Sequence, residues 1–341
     1  MRTGLVKQMV TASRRPGIRF SSGLITACAV ATSCGRHRAV SPPEGQPGAA
    51  PAPAPAPGGA AAALPPRVVR ANGTELHYVE KGSGLPVVFV HGSLGTLDDW
   101  RTQLDAFASQ YRVIAYSRRY HPPNPAQRDG QSYALSLHAD DLAALLERLG
   151  ISRAHIVGSS YGAYAALLLA LRRPELVRTL VLEDPPILPW LARTPEGDSI
   201  RRAFDATVLT PARAAFARGD SVGGLRRFLD GVSGTPGRFD RIPEASRRGV
   251  LRLAFELRLE LLADPAAYLP PLSCKDVASI RSPVLLLTGE RSPRMFHVIT
   301  EELERCLLTE ELVTVPGAGY DSHAASPRFY DETVLRFLAK N

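Results

Sequence analysis

Cysteine is scarce in this chain, with 4 in 341 residues. Cys28 and Cys34 stand near the N-terminus, and the body holds only Cys274 and Cys306. No Cys or His spacing resembles a metal-ligand set, so no metal or organic cofactor is indicated. Cys274 and Cys306 are expected to be buried thiols, with a disulfide as the alternative. The body also lacks any run of 18 apolar residues, so nothing there is expected to span a bilayer. Acidic residues are missing from the first 34 positions, which carry Arg2, Lys7, Arg14, Arg15 and Arg19. Without those five the net charge falls from +8 to +3, which gives no footprint for nucleic acid. Internal repeats are absent as well.

What the N-terminus does hold reads as an export signal over residues 1–34. A basic stretch ending at Arg19 precedes the mildly apolar segment from Phe20 to Ser33, and Met9 is an alternative start. Arg14 and Arg15 hint at twin-arginine export. Cys28 follows Ile25-Thr-Ala and Cys34 follows Ala31-Thr-Ser, small-residue patterns similar to a bacterial lipoprotein cleavage box. The expectation is a chain exported to the cell envelope, lipid-anchored through Cys28 or Cys34 or free outside the cytoplasm. Residues 35–66 are mostly Pro, Ala and Gly, a composition that offers no apolar face and suits an extended spacer.

Residues 67–341 read as one domain. Val68 to Arg70 and Glu75 to Val79 flank Asn72-Gly73, a strong hairpin signal. Pro86-Val-Val-Phe-Val90 is continuously apolar, as a strand covered on both faces must be. The pattern recurs at Val113 to Tyr116, His155 to Val157, Leu180 to Leu182 and Val284 to Leu287. Helical periodicity lies between them, at Leu137 to Leu149 and Tyr161 to Leu171. Strands alternating with helices imply an α/β fold with a mostly parallel sheet. The rhythm breaks over residues 187–278, which carry Arg- and Leu-rich helical stretches and read as an inserted helical cap.

Gly158-Ser-Ser-Tyr-Gly162 follows a buried strand and precedes a helix. That setting is the strand–turn–helix elbow in which a Gly-x-Ser-x-Gly serine projects as a nucleophile. Ser160 is therefore the candidate nucleophile, and the N-terminus of the helix beginning near Tyr161 favours developing negative charge. Ser159 is one place early and reads as structural. His91-Gly-Ser-Leu-Gly95 follows the strand ending at Val90.

With these motifs the chain resembles the α/β-hydrolase superfamily over essentially all of residues 67–341. Within it the likeness is to the cap-bearing esterase, enol-lactonase and haloperoxidase-like branch. The resemblance implies an oxyanion hole from the backbone N–H groups of Ser93 and Tyr161, and a structural role for His91. It also places an acid in the loop Gly289-Glu-Arg-Ser-Pro293, where this chain has Ser292. An acid at the tip of the preceding strand is the other family solution. There the chain reads Leu182-Glu-Asp-Pro185, which favours Asp184, with Glu183 as the alternative; Glu290 reads as a structural loop carboxylate. The general base of the family follows the last strand in Gly-x-Gly-His. This chain reads Gly317-Ala-Gly-Tyr320, so a phenol with an ordinary pKa of about 10 occupies the base position. His323, three residues on, is either a replacement base or the structural second histidine common there. His121, after another strand, is a more distant candidate at the cleft mouth. The implied activity is a serine hydrolase of small carboxylic esters or related acyl compounds, weakened by Tyr320. The rival is a non-catalytic binding protein on the same fold.

Overall fold

In a computed structural model the described residues are 64–126, 132–308 and 310–341. The expected export signal, Cys28, Cys34 and nearly all of the spacer lie outside them. Eight strands among the described residues form one sheet in the order β1-β2-β4-β3-β5-β6-β7-β8. They are β1 (Arg67–Ala71), β2 (Thr74–Lys81), β3 (Pro86–Val90), β4 (Arg112–Tyr116), β5 (Ala154–Ser159), β6 (Val177–Glu183), β7 (Val284–Gly289) and β8 (Glu310–Val315). β1 and β2 form an antiparallel hairpin, and β2 is antiparallel to β4. Every pairing from β4 onward is parallel. Asn72 and Gly73, both at positive φ, make the hairpin turn that their sequence announces.

The period-2 geometry of a strand divides each central strand between two cores. In β3, Val88 and Val90 face α2 (Leu135–Arg148) and α3 (Tyr161–Arg172), packing with Leu142 and Leu145. Val87 and Phe89 face the opposite layer, where α1 (Arg101–Phe107) brings Leu104 and Phe107. Phe89 meets the Trp100 ring at 4.8 Å and Phe107 edge-on at 5.3 Å. Aromatic pairs of this kind contribute about 0.5–1.5 kcal/mol beyond their buried area.

Between β6 and β7 the described chain is helical, through α4 (Pro195–Phe204), α5 (Thr210–Ala217), α6 (Ser221–Val232), α7 (Glu244–Arg252), α8 (Ala254–Leu262), α9 (Pro265–Tyr268) and α10 (Cys274–Ala278). Cys274 at the start of α10 is joined to Cys306 at the end of α11 (Arg294–Cys306), with Cα atoms 5.2 Å apart. This corrects the expectation of two free thiols. The cysteines are 32 positions apart in sequence, and only the packing of α10 against α11 reveals that they meet.

Candidate active site

β5 ends at Ser159 and α3 begins at Tyr161, so the chain reverses on Ser160 alone, at φ 51° and ψ −124°. A non-glycine residue held there costs on the order of 1–3 kcal/mol and persists because the surroundings over-determine it. The flanking glycines show how. A Cβ on Gly162 would lie 2.3 Å from the Val90 carbonyl oxygen, and one on Gly158 2.7 Å from Ala163 Cα. Ser160 N–H donates to the Glu183 carbonyl at 2.8 Å, pinning the turn to the end of β6. Ser159 is buried within β5 beside Glu183.

The His91-to-Gly95 turn leaves β3 directly against this elbow, and a Cβ on Gly92 would lie 3.1 Å from Ser160 Cβ. His91 accepts the Arg118 N–H at Nε2 (2.9 Å), which leaves Nδ1 to donate to the Gly92 carbonyl at 2.8 Å. It is buried and fully engaged, as a structural residue is.

The Tyr320 hydroxyl donates to Ser160 Oγ at 2.5 Å. Its ring stacks on Phe296 at 5.1 Å. Burial, then the negative charge of Asp321, push the phenol well above its ordinary pKa. It is therefore a neutral donor and no proton acceptor near pH 7. Behind it lies Asp184, fully buried, with Oδ2 accepting from Ser292 Oγ at 2.7 Å. Thr288 stands near the carboxyl, but neither its Oγ1 nor Asp184 Oδ1 makes a hydrogen bond of good geometry. Burial and the neighbouring Glu183 push the Asp184 carboxyl up to about 8.

Ser160, Asp184 and His323 do not come together as the expected triad. His323 Nδ1 lies 2.7 Å from Glu183 Oε2, and its backbone N–H donates to Glu183 Oε1 at 3.0 Å. Ser322 Oγ donates to that same Oε1 at 2.5 Å. The Asp184 assignment as partner of this histidine is thus corrected to Glu183. The two are adjacent, but β6 ends at Glu183, which faces the loop after β8, and the chain turns at Asp184 (φ 43°), which faces Ser292. Glu290 accepts from Gly317 N–H at 2.6 Å, bracing the start of that loop. Burial works against charge on His323, but Glu183 outweighs it and lifts the imidazole to about 9. Its ring stacks on Trp100 at 4.4 Å and faces a cavity of about 360 Å³ that Tyr320, Asp321 and Ser93 also line. No hydrogen bond among the described residues joins it to Ser160. The distant candidate His121 is buried rather than at the cleft mouth, with Nε2 3.2 Å from Glu256 Oε2.

Ser160 itself opens on a pocket of about 20 Å³ walled by Leu188, Phe204, Phe228, Tyr268, Met295 and Phe296. Sequence reasoning missed two acids beneath the His91-to-Gly95 turn, Glu256 and Glu260, both fully buried on α8. Their four-residue spacing on one helix face was the available signal.

A family profile described as alpha/beta hydrolase fold matches residues 86–327, so the chain belongs to that family. Over 131 residues it is 31% identical to the uncharacterized hydrolase YraK of Bacillus subtilis (strain 168), covering 38% of this chain and 47% of that one. The chain thus spans about half the length of that relative. A putative 2-succinyl-6-hydroxy-2,4-cyclohexadiene-1-carboxylate synthase of the same organism is 26% identical over 267 residues, or 74% of this chain and 89% of that one. Among solved structures, Est816, an N-acyl homoserine lactone degrading enzyme, superposes with a TM-score of 0.63 at 23% identity, covering 80% of this chain and 100% of that one. That likeness concerns the fold.

Proposed function

We propose that this protein is a serine hydrolase that acylates Ser160 with small carboxylic esters or lactones. It turns over slowly, because a phenol stands where the base belongs. The observation that carries this reading is the 2.5 Å bond from Tyr320 to Ser160 Oγ on an elbow otherwise complete. Ser160 Oγ attacks the carbonyl carbon, and the oxyanion is met by the N–H groups of Ser93 and Tyr161 and by the α3 N-terminus. The carbon–oxygen bond to the leaving group then breaks, and the serine proton departs with the alcohol by way of solvent. Water cleaves the acyl-enzyme to release the acid and restore the serine. Neither step has a side-chain base at neutral pH, since Tyr320 is held neutral and His323 is charged and paired with Glu183. Oxyanion stabilisation and binding alone leave an acceleration of about 10³–10⁴ over water in related chemistry. The narrow apolar pocket at Ser160 suits a small acyl group.

Incubation with p-nitrophenyl acetate should give one equivalent of nitrophenol slowly, with an acetyl group mapped to Ser160, followed by still slower release. Ser160→Ala should give neither. A parent protein that forms no adduct would favour the rival reading, a binding protein on this fold that Tyr320 has silenced. The Cys274–Cys306 disulfide supports export to an oxidising compartment.

A further inference from the structure

We propose that Glu260, on the helical insertion, is a positioning residue for the oxyanion turn, so that seating of α8 sets the hole at Ser160. Ser93 supplies the observation. It lies in the turn that would donate a backbone N–H to the oxyanion, and its buried hydroxyl donates to Glu260 Oε1 at 2.9 Å, across 167 positions of sequence. No other side-chain hydrogen bond of Ser93 is present among the described residues.

The residues just before Ser93 are held by the same helix at one remove. Arg118 is fully buried and donates from Nε to the His91 carbonyl and from Nη2 to the Gly92 carbonyl, both at 3.0 Å. Its remaining Nη1 lies 3.6 Å from Glu256 Oε1. That oxygen also accepts from the Tyr133 hydroxyl at 2.5 Å, and His138 Nε2 lies 4.0 Å away. Thus Arg118 fixes the carbonyls of residues 91 and 92, Glu260 fixes the side chain of residue 93, and both compensating acids come from α8. Burial alone would raise the Glu256 carboxyl, but His121 and Arg118 hold it low, in the anionic form. Burial, then Glu256, push Glu260 well up. Helix α8 therefore brings the Glu256 carboxylate to Arg118 and an acceptor oxygen of Glu260 to Ser93. Lifting α8 away would take the Glu256 carboxylate from the guanidinium and free the Ser93 hydroxyl together, an arrangement that couples the seating of α8 to the geometry of the turn.

Such coupling predicts a split that a merely structural glutamate would not produce. Removing one oxyanion donor costs about 10²–10³ in kcat. Glu260→Leu should lower kcat for p-nitrophenyl acetate by about 10²-fold with KM changed less than ~3-fold, and Glu260→Gln, which keeps an acceptor for Ser93, should lose less than ~10-fold. Amide hydrogen exchange gives the arm that needs no turnover. Peptides covering residues 91–95 should exchange at least ~10-fold faster in Glu260→Leu and in Ser93→Ala, and no faster still in the double variant. Should Glu260→Leu fail to fold, Ser93→Ala, which removes one hydroxyl, carries both arms. Unchanged exchange at 91–95 in the folded variants would overturn the proposal, as would a purely KM effect. The catalytic arm rests on Ser160 being the nucleophile. Faster exchange in a protein that cleaves no ester would refute that reading and leave the positioning role of Glu260 standing.

Discussion

Replacing Tyr320 by histidine restores the residue type that the Gly317-Ala-Gly segment otherwise calls for, and its effect can be worked out from the site. The phenol now occupies the hydrogen bond to Ser160 Oγ at 2.5 Å and rests on Phe296. An imidazole nitrogen sits about 2 Å nearer its own Cα than a phenol oxygen does, so the introduced ring reaches Ser160 through one bridging water or by an inward settling of the loop. The second ring nitrogen turns toward Asp184, whose Oδ1 lacks a well-formed partner and whose other oxygen is fixed by Ser292. Asp184, now pushed up to about 8, should then ionise against the imidazolium that forms during attack. A positioned general base contributes about 10²–10⁴-fold, and the longer reach argues for the lower end. Hydrolysis of p-nitrophenyl acetate by Tyr320→His should therefore rise at least ~10²-fold. Adding Asp184→Asn should remove most of the gain, whereas His323→Ala should change it little. If Tyr320→His folds with an unchanged melting temperature and shows no gain, the base loop is not what limits this site. If His323→Ala abolishes turnover in the parent, His323 is the base and its pairing with Glu183 is catalytic.

The His323–Glu183 pair makes a pH-dependent contribution to stability. Because the folded imidazole titrates near 9 rather than its ordinary 6.5, the contribution is complete below about pH 6.5 and is lost as pH rises through 9. It is on the order of 3 kcal/mol, and urea midpoints between about pH 6 and 10 should fall in the parent more steeply than in Glu183→Gln. Asp184 acts in the opposite sense: its folded pKa of about 8 means that ionisation opposes folding as pH rises above the ordinary carboxylate range. Asp184→Asn should raise stability at about pH 8 by at least ~1 kcal/mol, as a buried acid kept for a site would give; a loss of stability would show that the carboxylate is structural. Reducing Cys274–Cys306 frees a loop of 32 positions and should cost about 3–4 kcal/mol, read as a drop of roughly 5–10 °C in melting temperature. An unchanged melting curve would mean that α10 and α11 hold together without the bond.

Much of this architecture was legible from local pattern, because buried parallel strands leave continuous apolar runs. Val113 to Tyr116 and Val284 to Leu287 both fall within strands of the sheet, extended by one or two residues. The elbow was legible for the same reason, since Gly158 and Gly162 are required by backbone contacts that only a strand–turn–helix crossing creates. The choice between Glu183 and Asp184 was not. It depends on β6 ending at Glu183 and on the positive φ that Asp184 adopts just beyond it, a one-position matter that periodicity cannot fix. The Cys274–Cys306 bond and the reach of Glu256 and Glu260 to the His91-to-Gly95 turn are likewise long-range. They follow from how the helical insertion seats on the sheet; the four-residue spacing of Glu256 and Glu260 puts both on one helix face but does not say what that face meets.

The most direct measurement of the central claim is reaction with a fluorophosphonate probe followed by peptide mapping. Such a probe needs a projecting serine and an oxyanion hole, and it needs no deacylation. Phosphonylation of Ser160 should be slow but stoichiometric, lost in Ser160→Ala and accelerated in Tyr320→His. Absence of label in the folded parent, or label on Ser159 instead, would contradict it.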